Sequence, residues 1–230
     1  ITNCIFSNNN ADCGGAINCK FHSDPTITNC TFSSNMVKYD GGAIQCYNYS
    51  NPTIQNCTFS GNSATSGGAI YCILNSDVTL NNCILWDNNA LSSGNEIYIR
   101  DIDSSCTLNY CCVNNTGYGG VIGNVDASNN CIFVDPQFLD VASGNLHLKP
   151  HSPCIDTGNN GYISGSSTDL DGNPRIVDAS GQGKVDIGAY EFVSIIYVDG
   201  LNGDDTHNGR SWTNAKKTIQ TGIDAASDGW

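Results

Sequence analysis

One nine-residue phrase recurs along the first part of the chain. It reads Ile1-Thr-Asn-Cys-Ile-Phe-Ser-Asn-Asn9, Ile27-Thr-Asn-Cys-Thr-Phe-Ser-Ser-Asn35, Ile54-Gln-Asn-Cys-Thr-Phe-Ser-Gly-Asn62 and, more loosely, Leu80-Asn-Asn-Cys-Ile-Leu-Trp-Asp-Asn88, with starts 26, 27 and 26 residues apart. A second phrase alternates with it, Gly14-Gly-Ala-Ile-Asn-Cys19, Gly41-Gly-Ala-Ile-Gln-Cys46 and Gly67-Gly-Ala-Ile-Tyr-Cys72, with Gly94-Asn-Glu-Ile-Tyr-Ile99 as a degraded fourth copy. A fifth rung is expected from Thr107-Leu-Asn-Tyr-Cys-Cys112. Each unit holds two or three short β-like stretches and no helical periodicity. Such a unit cannot bury an apolar face alone and must stack on its neighbours. The period suits one coil of a parallel β-helix, an all-β solenoid; leucine-rich repeats share the period but need a Leu-rich consensus that is absent.

The composition agrees. Thirty Asn and 25 Gly stand against one Met and two Glu, so turn formers abound where helix formers are scarce. A charged fraction of 13% beside 39% hydrophobic excludes a disordered polyelectrolyte and a coiled coil. The formal charge of −13 repels phosphate backbones and anionic lipid, which speaks against nucleic-acid partners and membrane insertion, and disfavours polyuronate substrates. A signal peptide, if one exists, is expected upstream of residue 1.

Within each phrase the apolar alternation breaks once, at the first Asn, which implies a bend between two strands. Asn3, Asn29, Asn56 and Asn82 should therefore stack as one axial ladder, and Asn9, Asn35, Asn62 and Asn88 as a second. The Gly pair supplies another tight corner. Cys4, Cys30, Cys57, Cys83 and Cys111 read as one inward column, and Cys19, Cys46 and Cys72 as another. In-register Cβ atoms lie ~4.8 Å apart, against ~3.8 Å for a disulfide, so these columns are expected to be reduced core fillers. Any disulfide should come from Cys13, Cys106, Cys112, Cys131 and Cys154, which lie outside the regular ladder.

The Gly-Gly-Ala-Ile element alternating with Phe-x-x-Asn (Phe6 to Asn9, Phe32 to Asn35, Phe59 to Asn62) resembles the repeats of chlamydial polymorphic outer-membrane proteins and related bacterial right-handed β-helix surface proteins. The resemblance implies a right-handed solenoid over residues 1–115. Asp135-Pro-Gln-Phe-Leu-Asp140, Ser152-Pro-Cys-Ile-Asp-Thr-Gly158, Thr168-Asp-Leu-Asp-Gly-Asn-Pro-Arg175 and Val185-Asp-Ile-Gly-Ala-Tyr-Glu-Phe192 are similar to the closing segment of secreted β-helix proteins of the choice-of-anchor group. That assigns residues 116–194 to irregular closing coils and a cap, in which an Asp–Arg175 pair is expected over the last coil edge. Residues 195–230, with Ile195-Ile-Tyr-Val-Asp199 and an amphipathic set Ile219, Ile223 and Ala226, look like the short α/β start of a next β-helix module, a strand and a capping helix.

Fold alone carries no chemistry. A glycosidase needs two carboxylates roughly 5–10 Å apart; the expected outward positions instead hold Asn18, Gln45, Tyr71 and Tyr98 on one face and Thr28, Gln55 and Asn81 on another. His151, Ser152 and Cys154 belong to the closing motif, so no catalytic residue is assigned. No cofactor is expected. Asp169 and Asp171 begin a calcium-loop pattern without its closing Glu, which leaves a Ca²⁺ site there as a candidate. Tyr71 and Tyr98, one coil apart, are a candidate surface for stacking on extracellular glycans. The reading is a non-enzymatic structural or adhesive module of a large secreted or cell-surface tandem protein, whose partners are adjacent β-helix modules. The alternatives are a carbohydrate-binding or polysaccharide-degrading β-helix with its catalytic coils elsewhere, and a thiol-rich cytoplasmic protein.

Overall fold

The chain turns at the first Asn of every phrase. Asn3, Asn29, Asn56 and Asn82 sit in the left-handed region with φ between 50° and 55°, a conformation that Asn tolerates better than other branched or bulky side chains. Tyr110 takes the same place one coil later at φ 52°. Each turn joins a strand of one sheet to a strand of the next, as Thr26–Thr28 to Thr31–Ser33. The computed structural model describes residues 1–163, 167–176, 183–193, 196–207 and 212–227, with the backbone alone for residues 225–227. Two compact units are present, Ile1–Glu191 and Phe192–Trp230.

The first unit carries four parallel sheets, so each full coil contributes four strands where the repeat suggested two or three. Sheet 1 stacks Thr26–Thr28, Thr53–Gln55, Asp77–Asn81, Ser105–Asn109 and Val125–Asn129. Sheet 2 stacks Ile5–Ser7, Thr31–Ser33, Thr58–Ser60, Ile84–Trp86 and Cys112–Val113. Sheet 3 stacks Asn10–Ala11, Met36–Val37, Ser63–Ser66 and Asn89–Ser93, and its first members are two residues long, too short to show alternation. Sheet 4 stacks Ile17–Lys20, Ile44–Tyr47, Ile70–Ile73, Ile97–Ile99 and Tyr118–Gly120. Parallel pairing continues past residue 115, the expected end of the regular coils, to Ile132, which bridges Cys112.

Repeat positions pair like with like. Ile44 is in register with Ile70, Cys46 with Cys72, and Phe32 with Phe59. Phe6, Phe32 and Phe59 stack face to face inside, with centroids 5.0 and 4.5 Å apart. The glycines of the second phrase have separate tasks. Gly41 turns at φ 70°, while Gly42 is packed so closely that a Cβ on it would lie 2.0 Å from the Gly68 carbonyl oxygen of the next coil.

A third corner escaped the sequence reading. Between sheets 4 and 1 two successive residues have positive φ in three successive coils, Phe21 with His22, Asn48 with Tyr49 and Leu74 with Asn75. A serine follows, and the hydroxyls of Ser50, Ser76 and Ser104 accept the backbone N–H of Ser23, Ser50 and Ser76 at 3.1–3.2 Å. Serines at 23, 50, 76 and 104 were the available signal.

The closing segment lies along the side of the solenoid, where a cap over the last coil edge was expected. Phe138–Asp140 pairs antiparallel with Asn145–Leu148. Phe138, Leu146, Leu148, Cys154 and Ile187 form a second core with Ile84 and Cys112, two residues of sheet 2. Thr31, Thr58 and Ser60 of the same sheet are buried. The outer side of sheet 2 thus combines Ile84 and Cys112 with buried hydroxyl residues, and the described residues of 152–191 act as a strap across it.

In the second unit Val198 bridges Lys216 in parallel and a helix spans Ile219–Ser227. Asp205 Oδ1 accepts the Lys217 and Thr218 backbone N–H groups and the Thr221 hydroxyl, satisfying donors at the helix start. Ile219, Ile223 and Trp212 are exposed. Ile195 and the Ala226 side chain lie outside the described residues.

Candidate functional site

The strap meets the first Asn row. Asn159, Tyr162 and Thr168 reach Asn82, Asn56 and Asn29 in turn: the three Asn side chains donate to their carbonyls at 3.0, 3.1 and 2.7 Å. Along the axis Asn29 still bonds Asn3 (3.2 Å) and Asn82 still bonds Asn56 (3.0 Å). Between Asn29 and Asn56 the expected ladder is interrupted, because Arg175 Nη2 donates to Asn29 Oδ1 at 2.7 Å. The second row is continuous: Asn9, Asn35 and Asn62 each donate from Nδ2 to Oδ1 of the next Asn at 2.8 Å, ending at Asn88.

Arg175, a residue of the strap, is buried against the coils. Its Nη1 bonds Glu191 Oε1 and the Gly188 carbonyl at 2.9 Å, and its Nη2 adds Ala189 O at 3.1 Å. The expected Asp partner is thus Glu191, and the pair fastens the flank rather than a coil edge. Glu191 in turn accepts the Asp186 backbone N–H.

At the Ca²⁺ candidate the structure shows a closed set of hydrogen bonds. Asp169 is buried, and its Oδ1 accepts the backbone N–H groups of Asp171 and Asn173. Its Oδ2 accepts Asn173 Nδ2 and the Glu191 N–H. Four N–H donors fill the carboxylate, so a turn rather than a cation organises it. Asp171 faces His147, 2.6 Å from Nε2, and that ring stacks on Tyr190. Among the described residues no group of three or more His, Cys, Asp or Glu is placed to hold a metal.

Tyr71 and Tyr98 do lie together, 5.4 Å apart and 3° from parallel. Each takes one face of the other, Gln45 adjoins Tyr71 in the preceding coil, and Tyr71 is only 5% exposed. An open platform for a sugar ring is therefore missing at Tyr71, and burial raises its phenol above the usual range. Gln45, Gln55 and Asn81, expected outside, are buried as well. His151, Ser152 and Cys154 form no catalytic array: the Ser152 hydroxyl donates to Pro136 O and accepts the Cys154 N–H.

All thirteen cysteines are free thiols. The main column is longer than the phrase showed. Cys131 Sγ reaches Leu108 O as Cys111 reaches Leu80 O and Cys83 reaches Ile54 O, which places Cys131 in the column and not outside it. Hydrogen bonds from Cys19 and Cys72, with burial, push the Cys46 thiol well up, and burial does the same to Cys83. Protonated thiols follow at these two positions.

A family model described as a right handed beta helix region matches residues 1–173. The chain belongs to that family. No curated protein and no solved structure matches it.

One right-handed β-helix residue breaks the repeat for a reason the structure supplies. Ala16, Ala43 and Ala69 are followed in their row by Glu96, which is buried and accepts Asn88 Nδ2 at 2.6 Å. The second Asn row ends at Asn88, and Glu96 supplies the oxygen that a further Asn would have provided. Burial pushes its carboxyl up to about 8, with Asp87 adding to the rise and Asn88 opposing it. Between pH about 4 and about 8 the folded chain then holds a proton that the unfolded chain has released, so this contribution to stability falls as pH rises, by at most ~1.4 kcal/mol per unit. Glu96→Gln should remove the slope. Denaturant unfolding of both proteins at several pH values checks it: a difference between them that stays constant from pH about 5 to about 8 would refute the assignment.

Proposed function

We propose that this right-handed β-helix is a structural and adhesive module of a large secreted or cell-surface tandem protein, without catalysis of its own, and that adjoining β-helix modules are its partners. The observation that carries the reading is the use of side chains, outside as well as inside, to bond successive coils. Asn109 bonds Asn81 and Asn129 bonds Asn109, each at 2.8 Å. On the surface Asp24 Oδ1 accepts the Asn51 N–H, Asn51 Oδ1 accepts the Asp77 N–H, and Asp77 Oδ1 accepts the Ser105 hydroxyl. Carboxylates held in such rows serve the stack. The similarity of the Gly-Gly-Ala-Ile and Phe-x-x-Asn phrases to bacterial surface proteins supports an extracellular placement.

Two measurements test the reading. Antibodies raised against the chain should label intact cells, and the purified chain should leave neutral and acidic polysaccharides undegraded. Labelling confined to permeabilised cells would overturn the placement. Release of soluble oligosaccharides would turn the reading to the carbohydrate-active alternative.

A further inference from the structure

Cys112 and Cys154 occupy a setting that no other cysteine pair shares. Cys112 lies on sheet 2 and Cys154 in the strap, 42 residues later (154 − 112). Both are fully buried and belong to the same second core, beside Ile84 and Ile187. Of the other cysteines expected outside the columns, Cys131 is in the main column and Cys106 pairs in register with Val78. Column neighbours sit on in-register parallel strands whose ~4.8 Å spacing exceeds the ~3.8 Å Cβ separation of a disulfide. Cys154 is free of that constraint, because it sits in a turn from a distant part of the sequence.

We propose that Cys112 and Cys154 form a cross-linking site, at which an oxidising environment produces a disulfide that fastens the strap to the flank of the β-helix. The oxidant is a small-molecule disulfide. One cysteine thiolate attacks it and expels a thiol, forming a mixed disulfide. The second cysteine thiolate then attacks the protein sulfur of that bond and expels the other thiol. Two protein thiols are oxidised to one disulfide, and the reagent is reduced to two thiols. The Cys112 thiol donates at present to Val134 O, a residue 51% exposed, so water can replace that donor. Since both thiols are buried, the bond closes before the strap seats, during folding, and the already folded, reduced chain reacts slowly. The inference is independent of the surface placement, which concerns only where an oxidising environment is met.

The full chain is folded in a buffer of reduced and oxidised glutathione, and in parallel with reductant alone. Thiols are then counted under denaturing conditions and the peptides mapped without reduction. Thirteen cysteines less two gives eleven free thiols after oxidation, with one linked peptide pair, and fragmentation between Cys111 and Cys112 should place the bond on Cys112. Proteolysis within residues 152–191 should slow several-fold. Thirteen thiols in the oxidised sample, or a bond between any other cysteines, would overturn the proposal. Cys112→Ser and Cys154→Ser should each retain all twelve remaining thiols, and loss of two from either would overturn it too. Should a variant fail to fold, the map of the unmodified chain decides alone.

Discussion

Asn62→Ala is expected to lower the unfolding free energy by about 3–5 kcal/mol, among the largest effects of any single change in this solenoid. The Asn62 side chain is completely buried. Its Oδ1 accepts both the backbone N–H and Nδ2 of Asn35, and its Nδ2 donates to Asn88 Oδ1 and the Phe32 carbonyl. Removing the amide takes a partner from four polar groups of three residues: Asn35 Nδ2 keeps the Phe6 carbonyl and Asn88 Oδ1 keeps the Asn62 backbone N–H, while the Asn35 N–H and the Phe32 carbonyl lose their side-chain partner, and each buried orphan costs about 1–3 kcal/mol before relaxation. Asn3→Ala is the control, because Asn3 is exposed at its row's end and its loss should cost under about 1 kcal/mol. Equilibrium urea unfolding of the two variants measures the contrast. Equal small losses would mean that the rows are decoration on a stack held by the apolar core.

Arg175→Leu should cost a similar ~3–5 kcal/mol, through a different route. The guanidinium is 1% exposed and neutralises Glu191, whose side chain is 2% exposed, so the substitution leaves a buried carboxylate without its partner. It also strips donors from Asn29 Oδ1 and the Gly188 and Ala189 carbonyls. The damage should be local to the strap: proteases should cut residues 152–191 first, while circular dichroism retains the β signal of the coils. The double change Arg175→Leu with Glu191→Leu should recover part of the loss, since a buried pair is dearer to break than to replace by apolar groups. Global unfolding in a single step without early cleavage would show that the strap and coils are one cooperative unit.

The architecture was legible because stacking is a local rule applied repeatedly. A recurring Asn at a break in alternation identifies a left-handed turn from the residue's own conformational tolerance, and a recurring Gly pair identifies a corner. Inward Ile, Cys and Phe follow from the period of two. Sheet 3 was less legible, since two-residue strands such as Met36–Val37 cannot show a period. The corner of paired positive φ at Phe21 with His22 and Asn48 with Tyr49 was hidden by its variable residues, and only the serine after it is regular.

Neighbours that the sequence did not reveal occupy both candidate sites. Asp169 with Asp171 and Tyr71 with Tyr98 were chosen as residue types at a spacing, and spacing does not report who else reaches those atoms. Asp169 is filled by N–H donors that include Glu191, 22 residues away, and Tyr71 is closed by its neighbours in the adjoining coils. Glu96 shows the converse: it read as a degraded repeat residue, yet it is the acceptor that terminates a buried amide row.

Periodicity by itself determined the coil length, the parallel register and the identity of the inward rows, because a coil pairs only with copies of itself and identical residues then face one another. Tertiary structure alone decided the path of the described residues between 133 and 191. Their sequence carries no period to align with the coils, and the contacts that place them, Arg175 to Asn29 and Ala189 to Thr58, join residues 146 and 131 apart. Those contacts exist because the outer side of sheet 2 offers Ile84 and Cys112 beside the Thr58 hydroxyl and the adjoining Asn row has donors to spare, a surface that forms only once the coils have stacked.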